Sequence, residues 1–360
     1  MKLVEFVPPT PHPLWKLCPQ MGITDIVVKV NPELTGLADP WRYETLSSIV
    51  SRLKSAGLNA VGLEGDPFEM TPIKEYGEQG KGKGEREETI AHYRELLESM
   101  GRLGIKLLCY NFMVGKGWSR TGVREGRGGA KATYFSLKEF STGLTGLSGL
   151  SGALPQTPNN PVNLVNPVKD NGLVISHDQV WANYEYFIRA VMPTAEKCGV
   201  RMALHPDDPC LPSLGGYARI FGSVEAYDRA YAIYPSPSNA VTFCQANFKL
   251  MGVDLEETAR HFGKRIAFIH VRDVEGTKED FTELFHDQGD TEQFALMRTY
   301  REIGLDVPIR GDHVPEMAYD RELTPEGTPG YFTLGRLFAN GYLKALMKGT
   351  DWKSECGDQT

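Results

Sequence analysis

Residues 240–271, AVTFCQANFKLMGVDLEETARHFGKRIAFIHV, read as strand, helix, strand. AVTFC (240–244) and RIAFIHV (265–271) are short apolar runs, the pattern of strands buried on both faces. Between them Asp254 opens a helix over 254–262. Glu256 and Glu257 lie in its first turn, where the positive end of the helix dipole favours acids. A strand, a helix and a second strand in this order pair the strands in parallel through a right-handed crossover.

The unit repeats outward in both directions. Further strands are predicted at 2–7 (KLVEFV), 25–30 (DIVVKV), 59–64 (NAVGLE), 105–112 (IKLLCYNF), 200–205 (VRMALH) and 307–311 (VPIRG). Helices are predicted at 43–56, 87–103, 178–198, 223–233, 290–303 and 335–347. In the first of these Leu46, Ile49, Val50 and Leu53 share a stripe, and Gly57 ends it. About eight strand–helix units specify an α/β fold of the (β/α)8 TIM barrel type. The expectation is one domain over 1–348 and a frayed tail over 349–360. A doubly wound sheet is the runner-up, but no glycine-rich dinucleotide turn follows the first strand.

One segment breaks the rhythm. Residues 114–175 include GKGWSRTGVREGRGG, the near-repeat GLTGLSGLSG and QTPNNPVNLVNP, and show no strand–helix unit. An insertion this long after the fourth strand sits over the barrel mouth and reads as a lid, with an oligomer contact or a disordered insert as the other readings. The stretch EYGEQGKGKGEREE at 75–88 reads as a solvated loop.

Composition narrows the function. With 39 basic and 46 acidic residues the net charge is −7, which repels nucleic acid and anionic lipid. No apolar run approaches the roughly eighteen residues of a membrane span, and MKLVEFVPPTPHP lacks a secretory pattern. Six cysteines without a CxxC pair suit reduced thiols in the cytoplasm. A small-molecule substrate is expected; a homo-oligomer is allowed.

Catalytic groups of a barrel stand where strands end. The strands at 200, 240, 265 and 307 deliver His205, Cys244, His270 and Asp312 to one rim. Two imidazoles, a thiolate and a carboxylate form a plausible four-ligand metal set. His313 follows Asp312, and its near-neutral pKa suits a general acid or base. Asn111 ends the fourth strand, where it can bond a substrate hydroxyl or cap a turn. His286 can reach the mouth from the loop after His270.

LGIKLLCYNFM (103–113), MALHPDDP (202–209), TFC (242–244), RIAFIHVRDV (265–274), FHDQGD (285–290), RGDH (310–313) and PGY (329–331) together resemble the mannonate dehydratase family. The resemblance covers about residues 100–347. It implies a xylose isomerase-like barrel that removes water from a sugar acid to give a 2-keto-3-deoxy acid. It implies a divalent metal on His205, Cys244, His270 and Asp312, and acid–base roles for Asp312, His313 and Tyr331. The family uses Mn²⁺ or Fe²⁺, which favours Mn²⁺ here over Fe²⁺, Zn²⁺ or Co²⁺. Trp118 and Arg120 survive from the family's Asp-Trp-Thr-Arg segment, and with Asn111 and Arg272 they are the expected substrate contacts. Arg272, or Arg120 from the insertion, can neutralise the carboxylate; an ordinary barrel-rim ion pair is the equal alternative for Arg272. The early segments VPPTPHPLW and VVKVNPELTG depart from the family, and its Arg-Pro-Asp-His reads RGDH here. A metal-dependent sugar isomerase or epimerase on the same barrel is the alternative, and a non-catalytic sugar sensor is a third.

Overall fold

The computed structural model of the chain describes residues 1–29, 39–76, 83–115, 117–142, 147–148, 174–325 and 327–355. Its main sheet runs, in spatial order, Lys2–Leu3, Pro308–Gly311, Ile266–Val271, Asn239–Cys244, Arg201–Leu204, Leu107–Tyr110, Asn59–Glu64, Asp25–Val28 and Glu5–Val7. The first and last members are two pieces of one strand, parted at Val4. The Val4 N–H donates to Ile309 O at 2.9 Å. All pairings are parallel, so the sheet closes on itself as a barrel of eight strands.

Each strand is followed by a helix: Pro13–Gln20, Tyr43–Ser55, Lys83–Leu103, His177–Cys198, Val224–Ile233, Leu255–Phe262, Gln293–Glu302 and Thr333–Glu355. Side chains fix their starts. Ser176, Ser223 and Asp254 each accept the N–H three residues on. Gly199 ends the fourth helix with φ +62°, a conformation costly to any residue with a Cβ.

Strand periodicity sorts the core into two layers. Val4, Val27, Leu107, Cys109, Ala203, Ala240 and Phe268 pack together as an inner cluster. Alternate residues such as Ile26, Leu108, Met202, Val241, Ile269 and Ile309 join the larger cluster beneath the helices. Inward parity carried one step further reaches His205, Cys244, His270 and Asp312, which leaves them at the mouth.

The structure differs from expectation in four places. The helix Pro13–Gln20 was hidden among prolines, yet Pro13 sits in the first turn, where a missing N–H costs nothing. The helix after the third strand begins at Lys83, inside the predicted loop 75–88. The last helix continues to Glu355 through much of the predicted tail. The described part of the insertion is not a plain loop. Gly122–Glu125 and Lys131–Ser136 form a hairpin that pairs antiparallel with a second hairpin, Val274–Thr277 and Asp280–Glu283, after the seventh strand. The near-repeat and the QTPNNPVNLVNP stretch fall mainly outside the described residues.

His12 caps the first helix, its Nδ1 accepting the Leu14 N–H at 3.2 Å. Burial, then the nearby Arg336, lowers its pKa from 6.5 to about 4. Above pH 6.5 folded and unfolded chains both hold it neutral. Below that the unfolded chain binds the proton first, so this stability drains away until about pH 4. His12→Asn, which caps without titrating, should lose less Tm than the wild type between those pH values in calorimetry. Parallel Tm curves would remove His12 from the acid response.

Candidate active site and metal centre

His205 lies one residue beyond its strand, its N–H on Tyr110 O at 2.7 Å. Its Nδ1 is 2.8 Å from Pro206 O. A carbonyl only accepts, so Nδ1 carries the hydrogen and Nε2 keeps its lone pair. Burial, then His270, lowers its pKa to about 4, and the ring is neutral at physiological pH.

Cys244 ends its strand directly beside His270 in register. Its thiol donates to Asn247 Oδ1 at 2.9 Å, and burial pushes its pKa up despite Arg272. His270 is 1% exposed, and among the described residues neither ring nitrogen has a hydrogen-bond partner. Its Nε2 is 3.6 Å from Glu64 Oε2, and its Nδ1 is 3.9 Å from Asp312 Oδ2. Asp312 Oδ1 lies 2.9 Å from Arg310 Nη1, and its Oδ2 faces Arg272 Nη1 at 3.5 Å. Burial alone would raise its pKa, but His313, Arg310, His270 and Arg272 outweigh it and hold the carboxylate well below its ordinary range.

Ligand atoms of His205, Cys244, His270 and Asp312 all lie within 4.8 Å of one another. Ligands at about 2.0–2.3 Å from one ion stand roughly 3–4.5 Å apart, so the set fits a divalent cation with little adjustment. The bare imidazole of His270 supports the fit, because a buried polar group without a partner is costly. A second group, Glu64, Cys109 and His270, is as close. Arg310 already takes both Glu64 oxygens, at 3.1 and 2.5 Å, and Thr242 bonds the Cys109 sulfur at 3.3 Å. The first group is therefore the candidate centre.

A chain of hydrogen bonds runs beside it. His313 Nε2 is 2.8 Å from Tyr331 OH, and His313 Nδ1 is 2.8 Å from Glu283 Oε1. The Trp118 ring meets His313 edge-on at 5.1 Å, and its indole N–H has no partner among the described residues. Burial, then Asp312, raises the Tyr331 pKa well above its ordinary value, so the phenol holds its proton.

Two expected substrate contacts are placed differently. Arg120 is fully buried, and all five of its N–H groups are used. They bond Asp208 at 2.7 and 2.9 Å, Glu283 at 2.8 and 2.5 Å, and Ser119 O at 2.9 Å. No donor remains for a substrate carboxylate. Arg272 is also buried and bonds Asp208 at 2.8 Å, but its Nη2 has no partner among the described residues. Asn111 Oδ1 accepts from Lys74 at 3.0 Å and from the Met113 N–H at 3.1 Å, so its oxygen shapes the turn. His286 lies off the mouth, its Nε2 2.8 Å from the Val271 carbonyl.

Asp208, Glu283, Glu64 and Arg310 were missed. Glu64 had a signal, since it ends the third strand under the rule that picked out the four candidate ligands. Asp208 sits in HPDDP, a stretch that locally resembles a turn. Glu283 lies in a hairpin whose pairing is not visible locally. The pairs Arg120–Asp208 and Arg272–Asp208 are fully buried, with Glu283 beside them. Arg120→Met should therefore destabilise the fold by about 3–5 kcal/mol in urea unfolding, because it removes a guanidinium shared by two buried carboxylates. A loss below about 1 kcal/mol would show that solvent or Arg272 compensates them.

A family model described as D-mannonate dehydratase (UxuA) matches residues 15–355. A mannonate dehydratase of Streptococcus pneumoniae strain 70585 is 30% identical over 334 residues, covering 91% of this chain and 88% of that protein. The crystal structure of mannonate dehydratase from Streptococcus suis serotype 2 superposes with a TM-score of 0.80 at 27% identity, covering 100% of this chain and 95% of that one. A xylose isomerase domain protein from Planctomyces limnophilus, at TM-score 0.54 and 13% identity, covers 98% of this chain and 97% of its own and shares the barrel fold. No helix among the described residues is long and apolar enough to cross a membrane.

Proposed function

The chain belongs to the D-mannonate dehydratase family and is a lyase of the hydro-lyase type, and from that premise we propose how its own residues carry out the elimination. The substrate is D-mannonate and the product 2-keto-3-deoxygluconate. A divalent cation, Mn²⁺ before Fe²⁺, Zn²⁺ or Co²⁺, would be held by His205, Cys244, His270 and Asp312. The observation that carries the reading is the His313–Tyr331 hydrogen bond of 2.8 Å, one residue from a carboxylate of the ligand set.

When bound, the ion supplies Lewis-acid polarisation of a substrate oxygen, worth several kcal/mol on the charge that develops near the acidic carbon. The remaining work falls to side chains. Nδ1 of His313 faces an ionised carboxylate, so its Nε2 is the basic nitrogen and takes the proton alpha to the substrate carboxylate. The C–H electrons form the carbon–carbon double bond as the beta C–O bond breaks. Tyr331 gives its phenolic proton to the departing hydroxyl, which leaves as water. The enol rearranges to the 2-keto acid, and His313 returns its proton to the Tyr331 oxygen. Arg272 Nη2 and the Trp118 indole N–H have donors to spare for the carboxylate and hydroxyls. The five described cysteines are free thiols, which fits a reducing cytoplasm.

The test is product mass. Metal-loaded protein incubated with D-mannonate and a panel of other aldonic acids should yield a product lighter by one water. A product of unchanged mass would favour the isomerase reading instead, for which no contact in the site speaks specifically.

A further inference from the structure

Two loops of the barrel meet at one carboxylate. Glu283 ends the hairpin strand Asp280–Glu283 after the seventh barrel strand, and that strand pairs with Lys131–Ser136 of the insertion. Its side chain is 1% exposed. Oε1 accepts from His313 Nδ1 at 2.8 Å and from Arg120 at 2.8 and 2.5 Å, while Arg272 Nε faces Oε2 at 3.4 Å. Arg120 is itself forked onto Asp208. The carboxylate is thus locked from three sides by cationic or N–H donors, and its remaining function is to accept.

An acceptor opposite Nδ1 decides the tautomer of a neutral imidazole. With the hydrogen on Nδ1, Nε2 presents its lone pair to Tyr331 and to the reacting carbon. With the hydrogen on Nε2, a bare Nδ1 would face a carboxylate lone pair, and the ring could take no proton at the mouth.

We propose that Glu283 is a positioning residue that fixes His313 in its Nδ1–H tautomer, and that Arg120, from the insertion after the fourth strand, holds Glu283 in place for that task. The small sheet above the barrel is then part of the proton-transfer apparatus. Arg120 acts in turnover two hydrogen bonds away from His313, in place of the direct substrate contact expected for it. This rests on the reading of His313 as the base.

The experiment uses the full chain loaded with Zn²⁺, which is diamagnetic, with ¹⁵N-labelled histidine. The His313 signals are assigned by their absence in His313→Asn. In the wild type, the ring shifts should report a protonated Nδ1 and a bare Nε2. In Glu283→Ala they should move toward the other tautomer. With the metal that supports activity, kcat should fall about 10²–10⁴-fold with KM within about threefold. Glu283→Asp should restore part of both. Where Glu283→Ala fails to fold, Glu283→Gln keeps the volume. Its one oxygen can still accept from His313 and Arg120, as Oε1 does here, but an uncharged amide holds the Nδ1 hydrogen less strongly, so a smaller kcat loss in the same direction is expected. An unchanged tautomer in Glu283→Ala, whatever its activity, overturns the proposal in favour of a packing role. So does a kcat within threefold of wild type in the folded variant. If the wild type fails to dehydrate any aldonic acid, the functional reading falls, and the NMR arm still decides the tautomer.

Discussion

Cys244→Ser is expected to strip the protein of bound metal and to lower turnover about 10³-fold. A serine oxygen stays protonated at neutral pH, whereas the metal-binding form of cysteine is the thiolate. Burial works against that thiolate in the metal-free chain, so the cation must displace the proton as it binds. Affinity should therefore weaken about tenfold for each pH unit lost, the signature of one proton released. The loss in the variant should exceed the roughly 10–100-fold cost of deleting an outer-shell partner. Metal content by elemental analysis and activity after chelation and single-metal add-back measure both arms. Native metal content in Cys244→Ser removes the sulfur from the ligand set. Undiminished activity after complete chelation removes the metal from the reaction.

The second large effect belongs to His313 and Tyr331. His313→Asn should cost about 10²–10⁴ in kcat while metal content stays native, because Asn offers no base in the working pH range. Tyr331→Phe should cost a comparable factor, since the leaving hydroxyl then departs without a proton. The two groups share one hydrogen bond and one proton, so they act as a unit. The double variant should be little worse than the poorer single variant. Fully multiplicative losses in steady-state kinetics would mean that the two side chains act on separate steps.

The barrel was legible because its strands are buried on both faces, and a run such as RIAFIHV has no polar position to blur it. The rim positions were legible for a related reason. Side-chain alternation fixes which residue faces inward, and His205, Cys244, His270 and Asp312 continue the inward series of Ala203, Thr242, Phe268 and Arg310. The small antiparallel sheet was not legible. Lys131–Ser136 and Asp280–Glu283 are short, partly exposed, and pair across more than a third of the chain, so neither carries a local signature. Arg120 shows the cost of that gap. An arginine beside a tryptophan in a mouth loop reads as a carboxylate clamp, and only the positions of Asp208 and Glu283 show its donors to be spent. The first helix was obscured because four prolines between residues 8 and 13 mask a permissible helix start.

The N-terminal strand, split at Val4, lies against residues 25–28 on one side and residues 308–311 on the other. During translation its second neighbour leaves the ribosome some 280 residues (308 − 28) after its first. Until then the nascent chain carries two open edges, each a template for pairing with another molecule. A message broken before codon 308 would yield an adhesive, unclosed ribbon rather than a weakened enzyme. Native yield in the cell should accordingly depend on how quickly synthesis reaches residue 311 and on chaperones that shield the waiting edge.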